Sequence, residues 1–195
     1  MSLIKPDTLM SLETYAKARP EFRAKVMAHK KDRTLQLGEH VTLIFEDELT
    51  IRYQVQEMLR AERIFEEEGI NDELGAYNPL VPDGSNWKAT MMIEYPDESE
   101  RRVMLTQLIG IEDRVWVQAG DFDRVYALAD EDLERDNGQK TSAVHFLRFE
   151  LDRTMIAALR GGAALAVGVD HPNYVAAVPQ ITGAMRASLL ADFSR

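Results

Sequence analysis

Two stretches, WKATMMIEY at residues 87–95 and SAVHFLRFEL at 142–151, alternate in side-chain character with a period of two. Successive side chains of a strand project to opposite faces, so each stretch predicts a β-strand with one covered face. In the first, Ala89, Met91, Ile93 and Tyr95 share a face, and Lys88, Thr90, Met92 and Glu94 take the other. In the second, Ala143, His145, Leu147, Phe149 and Leu151 oppose Val144, Phe146, Arg148 and Glu150. One-faced strands need a second layer to bury their apolar side. Arg101–Leu108 and Arg114–Gln118 read as neighbours in an antiparallel meander, and Ala163–Val169 as a strand buried on both faces.

The second layer comes from helical segments. Pro6 suits the first turn of a helix carrying Leu9, Leu12 and Ala16, and the residue before Pro20 is biased out of helix, so Arg19 is expected to end it. A second helix follows from Pro20 to about Lys31. Asp47 is a candidate N-cap for a long helix running to Glu68, with Gly69 as its C-terminal cap. Asp152 caps a short helix ending at Gly161 and Gly162, and Ile181–Phe193 closes the chain as a helix. The predicted fold class is α+β: N-terminal helices and one long helix packed on a mostly antiparallel sheet. The chain divides into a basic helical arm, 1–33, and a single α+β domain, 34–195. The arm holds eight Lys and Arg against four acids, or +4, so residues 34–195 carry -14 of the net -10. Such an arm is expected to pack on its own acidic body.

Composition excludes several functions. No cysteine is present, which removes disulfides, thiol catalysis and cysteine-held zinc or iron–sulfur centres within this chain. The net charge argues against nucleic-acid binding. The longest run free of strongly polar residues, Gly161–Val169, falls far short of the roughly 20 residues of a membrane helix. The N-terminus lacks a signal-peptide core, so the expected location is cytoplasmic. GxGxxG, P-loop, HExxH and GxSxG patterns are all missing. The acids Asp130, Asp132, Glu134 and Asp136 alternate without the glycine and final glutamate of an EF-hand, and 120–140 reads as an exposed acidic loop with some helix.

The polar residues in apolar places are the candidate site. At about 100° per residue, with Ile51 as the origin, Val55, Met58, Leu59 and Phe65 form a stripe and Glu62 falls near its middle. A buried carboxylate needs an ion-pair partner, a proton or a metal. His145, on the apolar face of its strand, is the candidate partner, and a Glu62–His145 pair could hold a proton or a metal. A structural ion pair for Glu62, or a rotation of its helix towards the rim, is the plainer alternative. His171, in Asp170-His171-Pro172-Asn173, is a weaker metal candidate, with an exposed turn as the plainer reading. Glu94 is weaker still, because alternation turns it away from Ile93. Trp87, Tyr77 and Tyr174 are candidate lining for a small-ligand pocket. Glu66, Glu67 and Glu68 read as a solvated acidic patch or a docking surface for a basic partner. No resident cofactor is predicted; a metal held by histidine and carboxylate stays open.

FEDELTIRYQVQEMLRAERI (45–64), YNPLVPD (77–83), ATMMIEY (89–95), AVHFLRFEL (143–151) and GVDHPNY (168–174) resemble an uncharacterised bacterial family of domains of unknown function. The resemblance runs from about Phe22 to the C-terminal helix. It implies genes that neighbour rubrerythrin-like and iron–sulfur oxidoreductase-like proteins, and so a role near redox or peroxide metabolism. It carries over no catalytic residue. The resulting expectation is an accessory or interaction protein that binds a redox protein and forms a homodimer. The alternative is a metal-dependent or acid–base enzyme acting on a small molecule through Glu62 and His145.

Overall fold

The computed structural model describes residues 3–129 and 140–193. Its strands make two antiparallel sheets. In the first, β1 (Thr34–Leu37), β2 (Val41–Glu46), β3 (Asn86–Ile93), β7 (Val144–Glu150) and β6 (Leu128–Ala129) lie side by side in that order. The second has the order β5 (Val125–Tyr126), β4 (Val115–Ala119), β8 (Leu165–His171), β9 (Tyr174–Val178). Every strand pair among the described residues is antiparallel.

The period-two pattern decides which faces meet. Trp87, Ala89, Met91 and Ile93 of β3 and His145, Leu147 and Phe149 of β7 are buried, as the alternation requires. Met91 sits opposite His145 and Trp87 opposite Phe149 in the β3–β7 register. From the second sheet, Val115, Val117, Ala119, Leu165, Val167 and Val169 join the same core. Trp87 is fully buried, its ring 4.8 Å from that of Phe193, and its indole N–H donates to Leu189 O at 2.9 Å. Truncating an aromatic core residue of this kind costs about 3–5 kcal/mol.

The helices are α1 (Leu12–Lys31), α2 (Glu48–Glu62), α3 (Glu67–Tyr77), α4 (Glu98–Gln107), α5 (Arg153–Arg160) and α6 (Gly183–Leu190). Ile51, Val55 and Leu59 of α2 meet Ile4, Leu74 and Val81 in a second, smaller core. The α+β class and the antiparallel sheet agree with the sequence reading. Asp47 and Asp152 cap α2 and α5, accepting from Thr50 N and Met155 N.

Four segments differ from expectation. The two N-terminal helices are one, with Pro20 inside α1. Arg19 stays helical because Glu57 of α2 grips its guanidinium at two 2.8 Å contacts, which outweighs the local bias before proline. The expected strand Arg101–Leu108 is helix α4, started by Asp97, whose carboxylate accepts from Glu100 N. The long helix ends at Glu62, where Arg63 takes a left-handed conformation, and a separate helix begins at Glu67. Residues 169–174, read as a turn, hold the end of β8 and the first residue of strand β9. Of the acidic stretch 120–140, residues 130–139 lie outside the described ones, EF-hand-like acids included, and the described part contains β5 and β6.

Candidate functional site

The structure separates the residues that the sequence placed together. Glu62 is exposed at the last position of α2. Its angular direction follows the Ile51–Val55–Leu59 stripe, but Leu59 is the last residue of α2 that this core buries, and the carboxylate one turn on projects into solvent. Burial, followed by the charges of Glu62 and Asp72, raises the pKa of Glu73 on α3. His145 is fully buried on β7. Its Nε2 lies 3.0 Å from Ser142 O and 2.9 Å from Thr141 Oγ1. A carbonyl only accepts, so Nε2 carries the proton and donates. Thr141 Oγ1 then donates to Glu112 Oε2 at 3.4 Å, and that carboxylate lies 3.9 Å from His145 Nε2. Among the described residues Glu112 is thus a carboxylate beside His145, and the expected burial of Glu62 is corrected, since its side chain stands in solvent.

His171 is buried, not exposed. Its Nε2–H donates to Ile109 O at 3.1 Å and its Nδ1 accepts from Asn173 N at 3.2 Å, so the backbone engages both nitrogens of the neutral ring. Glu94 is exposed and accepts from Thr42 Oγ1 at 2.5 Å. The three aromatics proposed as pocket lining do not share a pocket. Trp87 is core, Tyr77 packs on the helical cluster, and Tyr174 donates to Leu37 O at 2.5 Å to tie the two sheets. Among the described residues no group of three or more His, Asp or Glu side chains is placed to hold a metal, and no helix is long and apolar enough to cross a membrane.

Two polar constellations escaped the sequence reading. The first surrounds Arg33, 1% exposed. Its guanidinium donates to Phe45 O at 2.7 Å, Glu46 O at 3.0 Å, Ser188 Oγ at 3.0 Å and Asp192 Oδ2 at 2.5 Å. Asp47 lies 3.5 Å from the same guanidinium and 2.5 Å from His29 Nε2. Burial pushes the Asp192 carboxyl up to about 6, against the pull of Arg33. Two carboxylates share one guanidinium here, and His29, with 30% of its side chain exposed, opens the cluster to solvent. This enclosed cluster ties α1, β2 and α6 together.

The second lies on the outer face of the four-stranded sheet. Inner positions of β4, β8 and β9 enter the core, so alternation turns Trp116, Gly168, Asp170, Val175 and Ala177 outward, with Tyr126 opposite Trp116. Val175 is 76% and Tyr126 40% exposed. Trp116 is 4% exposed, because the Arg124 guanidinium lies over its ring at 4.0 Å from the centroid. Arg124 Nη1 and Tyr126 Oη both donate to Asp170 Oδ2, at 3.0 and 2.7 Å. Alternation in 115–119 could have flagged Trp116: Val115 and Val117 point inward, which leaves a tryptophan outside.

A solved structure agrees with this fold. The chain is 55% identical to a protein from Burkholderia pseudomallei K96243 whose crystal structure is described as a novel protein of unknown function. The match covers 99% of this chain and 100% of that one, with a TM-score of 0.93. No curated protein matches. The family model described as "Protein of unknown function (DUF3501)" matches residues 3–193, and the chain belongs to that family.

Proposed function

We propose that this chain is a non-catalytic accessory protein that binds a protein partner of a redox or peroxide-stress system through the outer face of its four-stranded sheet. The observation that carries the reading is the exposed Val175 and Tyr126 on either side of the Trp116–Arg124–Asp170 cluster. An aromatic, an arginine and an aliphatic residue on one open face is the composition that interface centres favour. The other polar constellations support it from the opposite side: His145, His171 and Arg33 are buried and held by structural hydrogen bonds. The acid–base alternative drew its carboxylate from Glu62, which stands in solvent away from the His145 contacts. The redox assignment draws on the family resemblance.

The test is affinity capture with the wild-type chain and Val175→Asp in parallel. Wild type is expected to retain a partner in stoichiometric amount whose absorbance reports iron or flavin, and Val175→Asp to lose it while unfolding at an unchanged temperature. Equal capture by both chains would exclude this face. Turnover of a small molecule by the isolated protein would exclude the non-catalytic reading.

A further inference from the structure

The indole of Trp116 lies flat against β8. A Cβ added to Gly168 would sit 2.4 Å from Trp116 Cζ2 and 2.7 Å from Cε2, so the glycine is what allows the close approach. The opposite ring face is roofed by the guanidinium of Arg124, a residue beside the two-residue strand β5. Its side chain stays 43% exposed.

The roof leaves two polar atoms unserved. Among the described residues, Trp116 Nε1 and Asp170 Oδ1 are buried and have no hydrogen-bond partner. Buried polar atoms without partners are uncommon and destabilising. Asp170 is instructive, because Arg124 and Tyr126 both crowd onto Oδ2. A guanidinium can engage a carboxylate through both oxygens, as a fork. Arg124 leaves one of them unused.

A guanidinium arriving from outside would not share that constraint. Lying on the indole in place of Arg124, it would gain the same cation–π contact and could bond both Asp170 oxygens. The backbone carbonyl of the segment carrying it would supply the acceptor that Trp116 Nε1–H lacks. The net charge of -10 favours a cationic visitor over an anionic one.

We infer that Trp116, Asp170 and Tyr126 form a cage for an arginine side chain of a protein partner, and that Arg124 is the internal occupant that the partner displaces. The inference rests on the reading of this face as the partner surface and names what that surface recognises.

The test needs no partner. The probe is the peptide acetyl-Gly-Arg-Gly-amide, titrated into nitrogen-15-labelled protein while the indole N–H signals of Trp116 and Trp87 are followed. Arg124→Ala and Arg124→Gln remove the internal occupant. In both, the Trp116 signal should shift saturably, with an apparent affinity at least about tenfold above wild type, since competition by Arg124 is lifted. Trp87, donating to Leu189 O in the core, should not move. Adding Asp170→Asn should abolish the shift, and acetyl-Gly-Lys-Gly-amide should bind more weakly because its ammonium has no fork. Absence of a saturable shift in both folded Arg124 variants, or binding unaffected by Asp170→Asn, would overturn the cage. If the cage fails while Val175→Asp still blocks partner capture, the surface stands without it. If the peptide binds but capture does not depend on the face, the cage stands and the partner reading falls.

Discussion

Arg63 has φ 57° and ψ 41°, and among the described residues it is the one non-glycine with positive φ. A side chain costs about 1–2 kcal/mol in that conformation, whereas glycine adopts it freely. Arg63→Gly is therefore expected to raise stability by up to about 1 kcal/mol once glycine's added unfolded-state entropy is deducted, read as a higher urea midpoint with the slope unchanged. Glu57 gives a second residue-scale expectation. Its hydrogen bonds to Arg19, with help from Tyr15, hold its carboxyl down at about 2. The folded state therefore binds fewer protons than the unfolded one between about pH 4.5 and pH 2, and stability falls as the pH is lowered through that window. In Glu57→Gln that acid-side loss should be smaller; unfolding at pH 5, 3.5 and 2.5 measures it, and parallel curves for the two proteins would contradict the pairing. Glu62 and Glu57 mark what the sequence reveals. Periodicity gives direction around a helix, so Ile51, Val55 and Leu59 are inside as expected. It says nothing of where the neighbouring layer stops, and Glu62 points the right way beyond the core's end. Glu57, off the stripe by angle, is the carboxylate that α1 grips.

At the scale of elements, alternation is the robust signal, because it needs only one covered face. It placed β3 and β7 and the buried face of each, His145 included. It misread 101–108, where Met104, Leu105 and Leu108 fit a helical spacing equally well and the cap at Asp97 decides. It also missed β9, whose outward residues Val175 and Ala177 are small and apolar on an exposed face and so give no polar alternation. The candidate site stayed hidden for a related reason: Trp116, Tyr126 and Asp170 come from three strands, with Arg124 just before one of them, and no local pattern encodes the strand order. The packing of β8 under Trp116 gives a test of this arrangement. Gly168→Ala would place its methyl 2.9 Å from the backbone oxygen of Ala176 as well as against the indole, and neither is a flexible end that swings away. Overpacking of this kind costs about 1–3 kcal/mol. The urea midpoint should fall accordingly and Trp116 should become more exposed to a fluorescence quencher. An unchanged midpoint would mean that the indole does not lie on Gly168.

Across the whole molecule, one side chain joins segments that no local rule connects. Arg33 follows the end of α1, donates to the carbonyls of β2's last two residues, and reaches Ser188 and Asp192 at the far end of the chain. Glu57 holds the middle of the basic arm and this cluster its end. Arg33→Ala would strip Asp192 of its cation while leaving the carboxyl buried, and breaking a buried pair by removing one partner costs about 3–5 kcal/mol. The double variant Arg33→Met with Asp192→Leu removes that ion pair, leaves Asp47 to His29, and should recover most of that loss, which a cavity alone would not do. The pH dependence follows from the same geometry. With its folded pKa near 6 and its ordinary value at 3.8, Asp192 binds more proton in the folded state between those limits. Its contribution is fullest below about pH 4 and declines as the pH rises through 6, by on the order of 3 kcal/mol. Wild type minus Asp192→Asn stability, measured by urea unfolding from pH 4 to 7, should slope downward across that range. A difference that is flat or rises would mean that Arg33, not burial, governs the carboxyl, and the C-terminal helix would then be held by an ion pair at every pH.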